Sequence, residues 1–326
     1  MPLSHNIVKI AVVKIHSMRL IANILICLLV STTLWGQETF NFLRLDKSPR
    51  AAALAGSFVA NTDDPNVIFY NPASISFLKG DPISFSYLFH LLDINSASIS
   101  YSHEYESLGR FAAGLDYINY GSFDRRDFNG VKTGEFGAGE VAALIGYSNQ
   151  LGNDFYYGAN IKFIYSSIDD RSSTGIAADI GLLYTFPEER WNFGFSILNL
   201  GSQITQYYNT KEDLPLDIRL GFSKTLEHLP FTFYASLNKL NEEYDSFGER
   251  FEQFTFGGEF RMSKVIRLRF GYDNEKRKEY KIGGTAGIAG FNLGLGILVS
   301  KYNFDYAFSS MGSIGALHRI GITTNL

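Results

Sequence analysis

Cysteine is almost absent: Cys27 is the only one in 326 residues. It falls in a stretch expected to be removed on export, so the mature chain has neither a disulfide framework nor a thiolate metal site. Prolines number only 8, and no low-complexity linker marks a second domain. No apolar run approaches the ~20 residues that a helix needs to cross ~30 Å of hydrocarbon. Excess charge is missing too: 29 Lys and Arg face 33 Asp and Glu, a formal charge of −4. Residues 1–36 hold Lys9, Lys14 and Arg19 and no acid, which leaves 26 against 33, or −7. A mildly acidic remainder gives no electrostatic reason to expect nucleic acid. Of the histidines, His5 and His16 leave with the signal, while His90, His103, His228 and His318 fall on separate strands or turns without the paired spacing of a metal site. Gly294-Leu295-Gly296 and Gly283-Gly284 do not lead into a helix, as a phosphate loop would. No Ser-His-Asp or Ser-Lys pattern emerges. The expectation is a protein with no catalytic residue, no cofactor and no metal.

What is abundant is Phe (28), Tyr (19) and Gly (31), as a sheet-rich protein with aromatic girdles needs. A hydrophobic share of 45% suits a barrel, whose strands spend only every second residue on lipid. A soluble sandwich or propeller could share this composition. The first 36 residues read as a secretory signal peptide: Arg19, an apolar run from Leu20 to Val30, then Ser31-Thr32-Thr33-Leu34-Trp35-Gly36. Cleavage is expected after Gly36, with Met18 an alternative start to Met1. The run is too short for an anchor, and Leu25-Ile26 before Cys27 lacks the small residues of a lipoprotein site.

From residue 83 the pattern is period 2. Ile83, Phe85, Tyr87 and Phe89 alternate with Ser84, Ser86, Leu88 and His90; Ile266, Leu268, Phe270 and Tyr272 alternate with Arg267, Arg269, Gly271 and Asp273. A strand between two different solvents requires this. Strands are expected at 83–90, 94–104, 109–119, 140–149, 155–166, 175–186, 190–199, 215–224, 230–239, 252–262, 264–273, 288–299, 302–308 and 317–326. That even number suits an all-β, transmembrane antiparallel β-barrel. Connections alternate short (105–108, 150–154, 187–189, 225–229, 263, 300–301) and long (120–139, 167–174, 200–214, 240–251, 274–287, 309–316), with 91–93 the exception. Such parity sets short turns at one rim and long loops at the extracellular rim.

Residues 37–82 break the alternation. Ser48-Pro49-Arg50 through Gly56 reads as a capped short helix, and Asn71-Pro72-Ala73 opens a second candidate. This segment is expected as a hatch inside the periplasmic mouth, with Asp63, Asp64, Pro65, Asn71, Pro72 and Ala73 as its structural motif, their short polar side chains satisfying local backbone amides. Arg219, Arg267 and Arg269 fall on the polar side of strands, where they line a pore or pair with acids such as Asp217 and Glu259. In loop 120–139, Phe123, Arg125, Arg126, Phe128 and Phe136 are of the types that anchor protein interfaces; the alternative is a loop folded back over the lumen.

Several stretches resemble a known family. Phe42-Leu43-Arg44-Leu45-Asp46-Lys47-Ser48-Pro49-Arg50-Ala51-Ala52-Ala53-Leu54-Ala55-Gly56 is similar to the mature start of the PorV/PorQ group. Asp63-Asp64-Pro65-Asn66 with Asn71-Pro72-Ala73 resembles the hatch motif of that group and of the wider FadL-like superfamily. Asp116-Tyr117-Ile118-Asn119-Tyr120-Gly121-Ser122-Phe123-Asp124, Leu198-Asn199-Leu200-Gly201 and Pro215-Leu216-Asp217-Ile218-Arg219-Leu220-Gly221 extend the likeness. It implies a FadL-like fourteen-stranded barrel of the type IX secretion system of Bacteroidetes. It further implies protein partners resembling PorZ, PorU and PorV in a surface attachment complex, where catalysis belongs to the sortase and the barrel anchors. Leu326 departs from the aromatic end common in barrels.

Two functional classes follow: a structural component of such a secretion complex, or a FadL-like outer-membrane transporter of hydrophobic small molecules. Charged or polar inward positions (Asp116, Lys162, Asp179, Asp217, Arg219, Glu259, Arg267, Arg269) weigh against a greasy channel.

Overall fold

The computed structural model describes residues 38–242, 248–281 and 287–326. The export signal with its expected cut after Gly36, the Gly283-Gly284 pair and part of loop 240–251 lie outside the described residues.

Period 2 becomes strands: β1 (Pro82–Phe89), β2 (Asn95–Tyr105), β3 (Gly109–Arg126), β4 (Lys132–Leu151), β5 (Phe155–Ile168), β6 (Arg171–Phe186), β7 (Trp191–Thr205), β8 (Asp217–Thr225), β9 (Phe231–Leu237), β10 (Phe254–Arg261), β11 (Ile266–Asp273), β12 (Phe291–Val299), β13 (Tyr302–Ser310) and β14 (Ala316–Asn325). Each pairs with its sequence neighbours, and β1 closes on β14 from Pro82↔Asn325 to Phe89↔His318. Closure pairs every strand on both sides and leaves no open edge.

The side chains are arranged inside out. Phe85, Phe89, Ile145, Ile161, Phe163, Leu293 and Phe304 are exposed, whereas Ser84, Ser86, Ser98, Asp116, Lys162, Asp179, Glu259 and Arg269 are buried. A water-soluble sheet would show the reverse. An apolar exterior on a closed barrel with an even number of strands is the solution for crossing a bilayer with strands. The chain is an outer-membrane barrel of a Gram-negative bacterium.

Three expected loops need correction. Loop 120–139 is mostly sheet: β3 continues to Arg126 and β4 starts at Lys132, with a turn at 127–131. The alternation is interrupted, not ended, because a bulge between Asn119 and Ser122 absorbs the break. Likewise β5 and β6 nearly meet, leaving 169–170 where 167–174 was expected, and β7 runs to Thr205. Strands β3 to β7 thus form a wall taller than the rest of the barrel.

Residues 38–81 fill the lumen. The segment holds four short helical turns: Asn41–Arg44, of which only Phe42 is buried, and Pro49–Ala53, Pro65–Phe69 and Pro72–Phe77, which are mostly buried. Three begin with proline after a side-chain cap: Ser48 accepts from the Ala51 amide, Asp64 from Asn66 and Asn71 from Ala73. The segment is not confined to the periplasmic mouth, where it was expected: it starts at the rim of long connections, where the Thr39 amide donates to Asp213 O. It leaves at the short-turn rim, where Arg110 donates to Gly80 O. Ten strands (β3 to β8, β10 to β12 and β14) each face it with a glycine. A Cβ on Gly158 would lie 2.5 Å from Pro72 C, and one on Gly271 2.5 Å from the Ala55 nitrogen. The wall gives up side chains where the inner backbone comes closest.

Ion pairs complete the fit. Lys47 reaches Asp116 at 2.5 Å, Arg50 reaches Glu259 at 2.9 Å, and Glu259 also takes Arg269 at 2.7 Å. Lys162 pairs with Asp179, and Arg219 with Asp217. The charged inward positions are therefore largely spent on one another and on the inner segment, and do not line an open pore.

Candidate functional site

The tall wall makes a cleft at the outer rim. At the β3 bulge, Gly121 takes φ +83 and its amide donates to Asn119 Oδ1. This left-handed step suits glycine. It turns Phe123 to the same face as Tyr120, three residues earlier. Phe123 stacks on Phe136 of β4 with centroids 5.4 Å apart. Tyr207 and Tyr208, from residues 206–216, close the opposite side. The result is a cleft of about 870 Å³ lined by Tyr120, Phe123, Phe136, Ala138, Glu140, Ser166, Ile168, Arg171, Tyr207, Tyr208 and Glu212 among others. That size lies within the range of small-molecule sites.

Its polar groups hold each other in place. The Tyr120 hydroxyl donates to Glu140 Oε2 at 2.5 Å, and the Tyr207 hydroxyl donates to Ser166 Oγ. Burial holds the Tyr207 hydroxyl protonated to higher pH than usual. Arg171 lies over the Tyr208 ring, 4.9 Å from its centroid. One step deeper on the inner faces of β3, β4 and β5 come Ile118, Ala142 and Ile164. They pack with Phe40, Phe42, Ala177 and Leu214 into an apolar layer. The first described residues of the inner segment thus form part of the floor. They are tied down by Arg44, which pairs with Glu38 at 2.7 Å and Glu242 at 3.1 Å.

The residues singled out for partner binding divide. Phe123 and Phe136 face the cleft. Arg125 pairs with Asp169, and Arg126 pairs with Asp124 at 2.6 Å and donates to Gly130 O. Phe128, at the hairpin tip, is 98% exposed. In the 63–73 motif, Asp63 pairs with Arg50 and Asp64 caps Asn66, whereas Asn71 donates to Val59 O and Leu182 O while capping Ala73. Tyr207, Tyr208 and Glu140 were not anticipated; no periodicity links 140 to 207. Among the described residues no cluster of His, Cys, Asp and Glu could hold a metal.

Solved structures share this fold. The Ralstonia pickettii toluene transporter TbuX superposes with a TM-score of 0.58 at 13% identity, over 87% of this chain and 98% of that one. The fold is FadL-like. The Pseudomonas putida toluene transporter TodX gives 0.55 at 14% identity, covering 90% and 98%. A Pseudomonas aeruginosa FadL homologue gives 0.55 at 10%, covering 89% and 100%. No protein-family model and no curated protein matches the chain, so the PorV/PorQ likeness rests on the quoted stretches alone. These neighbours are transporter and channel barrels, not enzymes.

Proposed function

We propose that this FadL-like barrel takes up small hydrophobic molecules from outside the cell through the rim cleft. The carrying observation is the cleft itself: an aromatic-lined recess at the outer rim whose floor is the apolar layer of Phe40, Phe42, Ile118 and Ile164. Aromatic faces desolvate an apolar solute, and the layer beneath continues that environment into the barrel. The neighbours named as toluene transporters support the class of solute. Residues 38–81 block a straight path, so passage requires that segment to shift. The test is accumulation of radiolabelled toluene by Gram-negative cells lacking their own such channels. Cells making this chain should exceed vector-only cells. The double variant Phe123→Asp, Phe136→Asp should fall to the vector level while keeping heat-modifiable mobility. Equal accumulation with and without the wild-type chain would overturn the reading.

A second reading is a non-enzymatic type IX anchoring barrel that holds partners resembling PorZ, PorU and PorV. The tip Phe128, fully exposed on a turn pinned by Asp127 Oδ1, favours it; a bare aromatic on a rigid tip is suited to anchoring in a partner pocket. Deleting 124–134 with a short glycine link should then abolish co-purification of a PorZ-like partner and leave cargo with its sorting domain. Normal secretion in the deletion strain would remove this reading.

A further inference from the structure

Hydrophobic uptake gives Glu140 no role. Its side chain lies in the cleft lining, yet the residue is only 8% exposed. Its described partners are hydroxyls, Tyr120 and Ser166. The other deeply buried acids of the wall behave differently: Asp116, Asp179, Asp217, Glu259 and Asp305 each have a Lys or Arg nitrogen within 2.9 Å, and Asp273 has Lys276 at 3.2 Å. Glu140 stands in no ion pair among the described residues. A carboxylate sheltered from water with no cation in direct contact, only Lys47 acting from farther off, is held at a cost that an arriving cation would offset.

The surroundings point the same way. Five aromatic rings border the cleft, and the face of an aromatic ring attracts a cation through its quadrupole. One of them already carries one, since the Arg171 guanidinium sits over Tyr208. Glu212 and Asp170 lie at the same rim, Asp170 3.6 Å from Arg171, while Arg125 is occupied by Asp169, so acids outnumber the one cleft-lining arginine. An anionic ligand such as a fatty-acid carboxylate would meet like charge. A neutral hydrocarbon would leave Glu140 as it is.

We infer that the cleft selects cationic amphiphiles: an aryl or alkyl body seated against the apolar floor, with a protonated amine or quaternary ammonium against Glu140 and the faces of Phe123 and Phe136. This rests on the cleft of the uptake reading and names its ligand class.

The test is calorimetric binding to the detergent-purified full chain of three probes: benzyltrimethylammonium, its neutral shape analogue neopentylbenzene, and phenylacetate. The ammonium should bind at least tenfold tighter than neopentylbenzene, and phenylacetate weakest. Glu140→Gln keeps the shape and an acceptor for Tyr120; it should erase the tenfold preference and leave neopentylbenzene affinity unchanged. If that variant does not fold, Phe136→Leu decides, since it keeps apolar contact but loses the ring face and should weaken the ammonium alone. Equal binding of the ammonium and neopentylbenzene overturns the inference, as does a preference that survives Glu140→Gln. If neopentylbenzene binds and toluene is taken up but no ammonium preference exists, only the inference falls. An ammonium preference carried by Glu140 without toluene uptake upholds the inference and removes the uptake reading.

Discussion

Asn71 makes three contacts with one small amide, and each satisfies a different part of the molecule. Its oxygen caps Ala73, and its nitrogen serves Val59 O in the inner segment and Leu182 O in the wall. Leucine has the same branching, is somewhat larger and makes none of these bonds. Each buried group left unpaired costs about 1–3 kcal/mol. Asn71→Leu should therefore lower the temperature at which the heat-modifiable band converts, and an unchanged conversion temperature would argue that the bonds do not matter. Glu259 is the other bridging residue, shared by Arg50 of the inner segment and Arg269 of the wall. Glu259→Gln leaves Arg50 with Asp63 and the more distant Asp64. Breaking a buried pair from one side costs about 3–5 kcal/mol, so the same assay should register a larger drop. The capping role of Asn71 was readable from its place before Pro72. Its reach to Leu182 was not, because a contact between residues so far apart leaves no local pattern. Pairing of Arg219 with Asp217 and of Arg269 with Glu259 was among the alternatives the sequence offered, since opposite charges alternate on inward positions.

Strand centres were legible because a side chain between lipid and a packed interior has only two environments to choose from, which imposes period 2. Strand ends were not. The expected end of β3 at Asn119 matches the broken alternation at Tyr120-Gly121-Ser122. The bulge resolves it: one extra residue restores pairing at Ser122↔Gly137, and after a second shift at Arg125 the pairing reaches Arg126↔Lys132. That device creates the cleft by bringing Tyr120 and Phe123 to one face. Gly121→Val should disturb it, since a β-branched residue at φ +83 is strained by about 1–3 kcal/mol. The expected result is a barrel that still inserts and stays heat-modifiable but loses toluene uptake and binding of the ammonium probe. Full retention of both would show that the cleft does not depend on the bulge.

At the scale of the whole molecule, the closed barrel and the inner segment are built for each other. The inward glycines carried a signal in the sequence, as in Phe193-Gly194-Phe195, Phe270-Gly271-Tyr272 and Ile320-Gly321-Ile322, where outward apolar residues flank an empty inward position. Any one of them reads as a kink. Only closure of the sheet brings them round one lumen, where the missing side chains match the inner backbone. A fit this close raises the question whether residues 38–81 move at all, and the near absence of cysteine allows a direct answer. Ser57 of the inner segment donates to Thr255 Oγ1 of β10 at 2.7 Å, so the two side-chain tips already meet, as a cross-link between them requires. Cys27, the only native cysteine, falls in the segment expected to be removed. Ser57→Cys with Thr255→Cys should therefore form one defined cross-link. If uptake requires the segment to shift, the oxidised protein should transport no more toluene than vector-only cells, and reduction should restore uptake to the wild-type level. Uptake that persists under oxidation would mean that solute passes without movement at this point and would sink the requirement for a mobile segment.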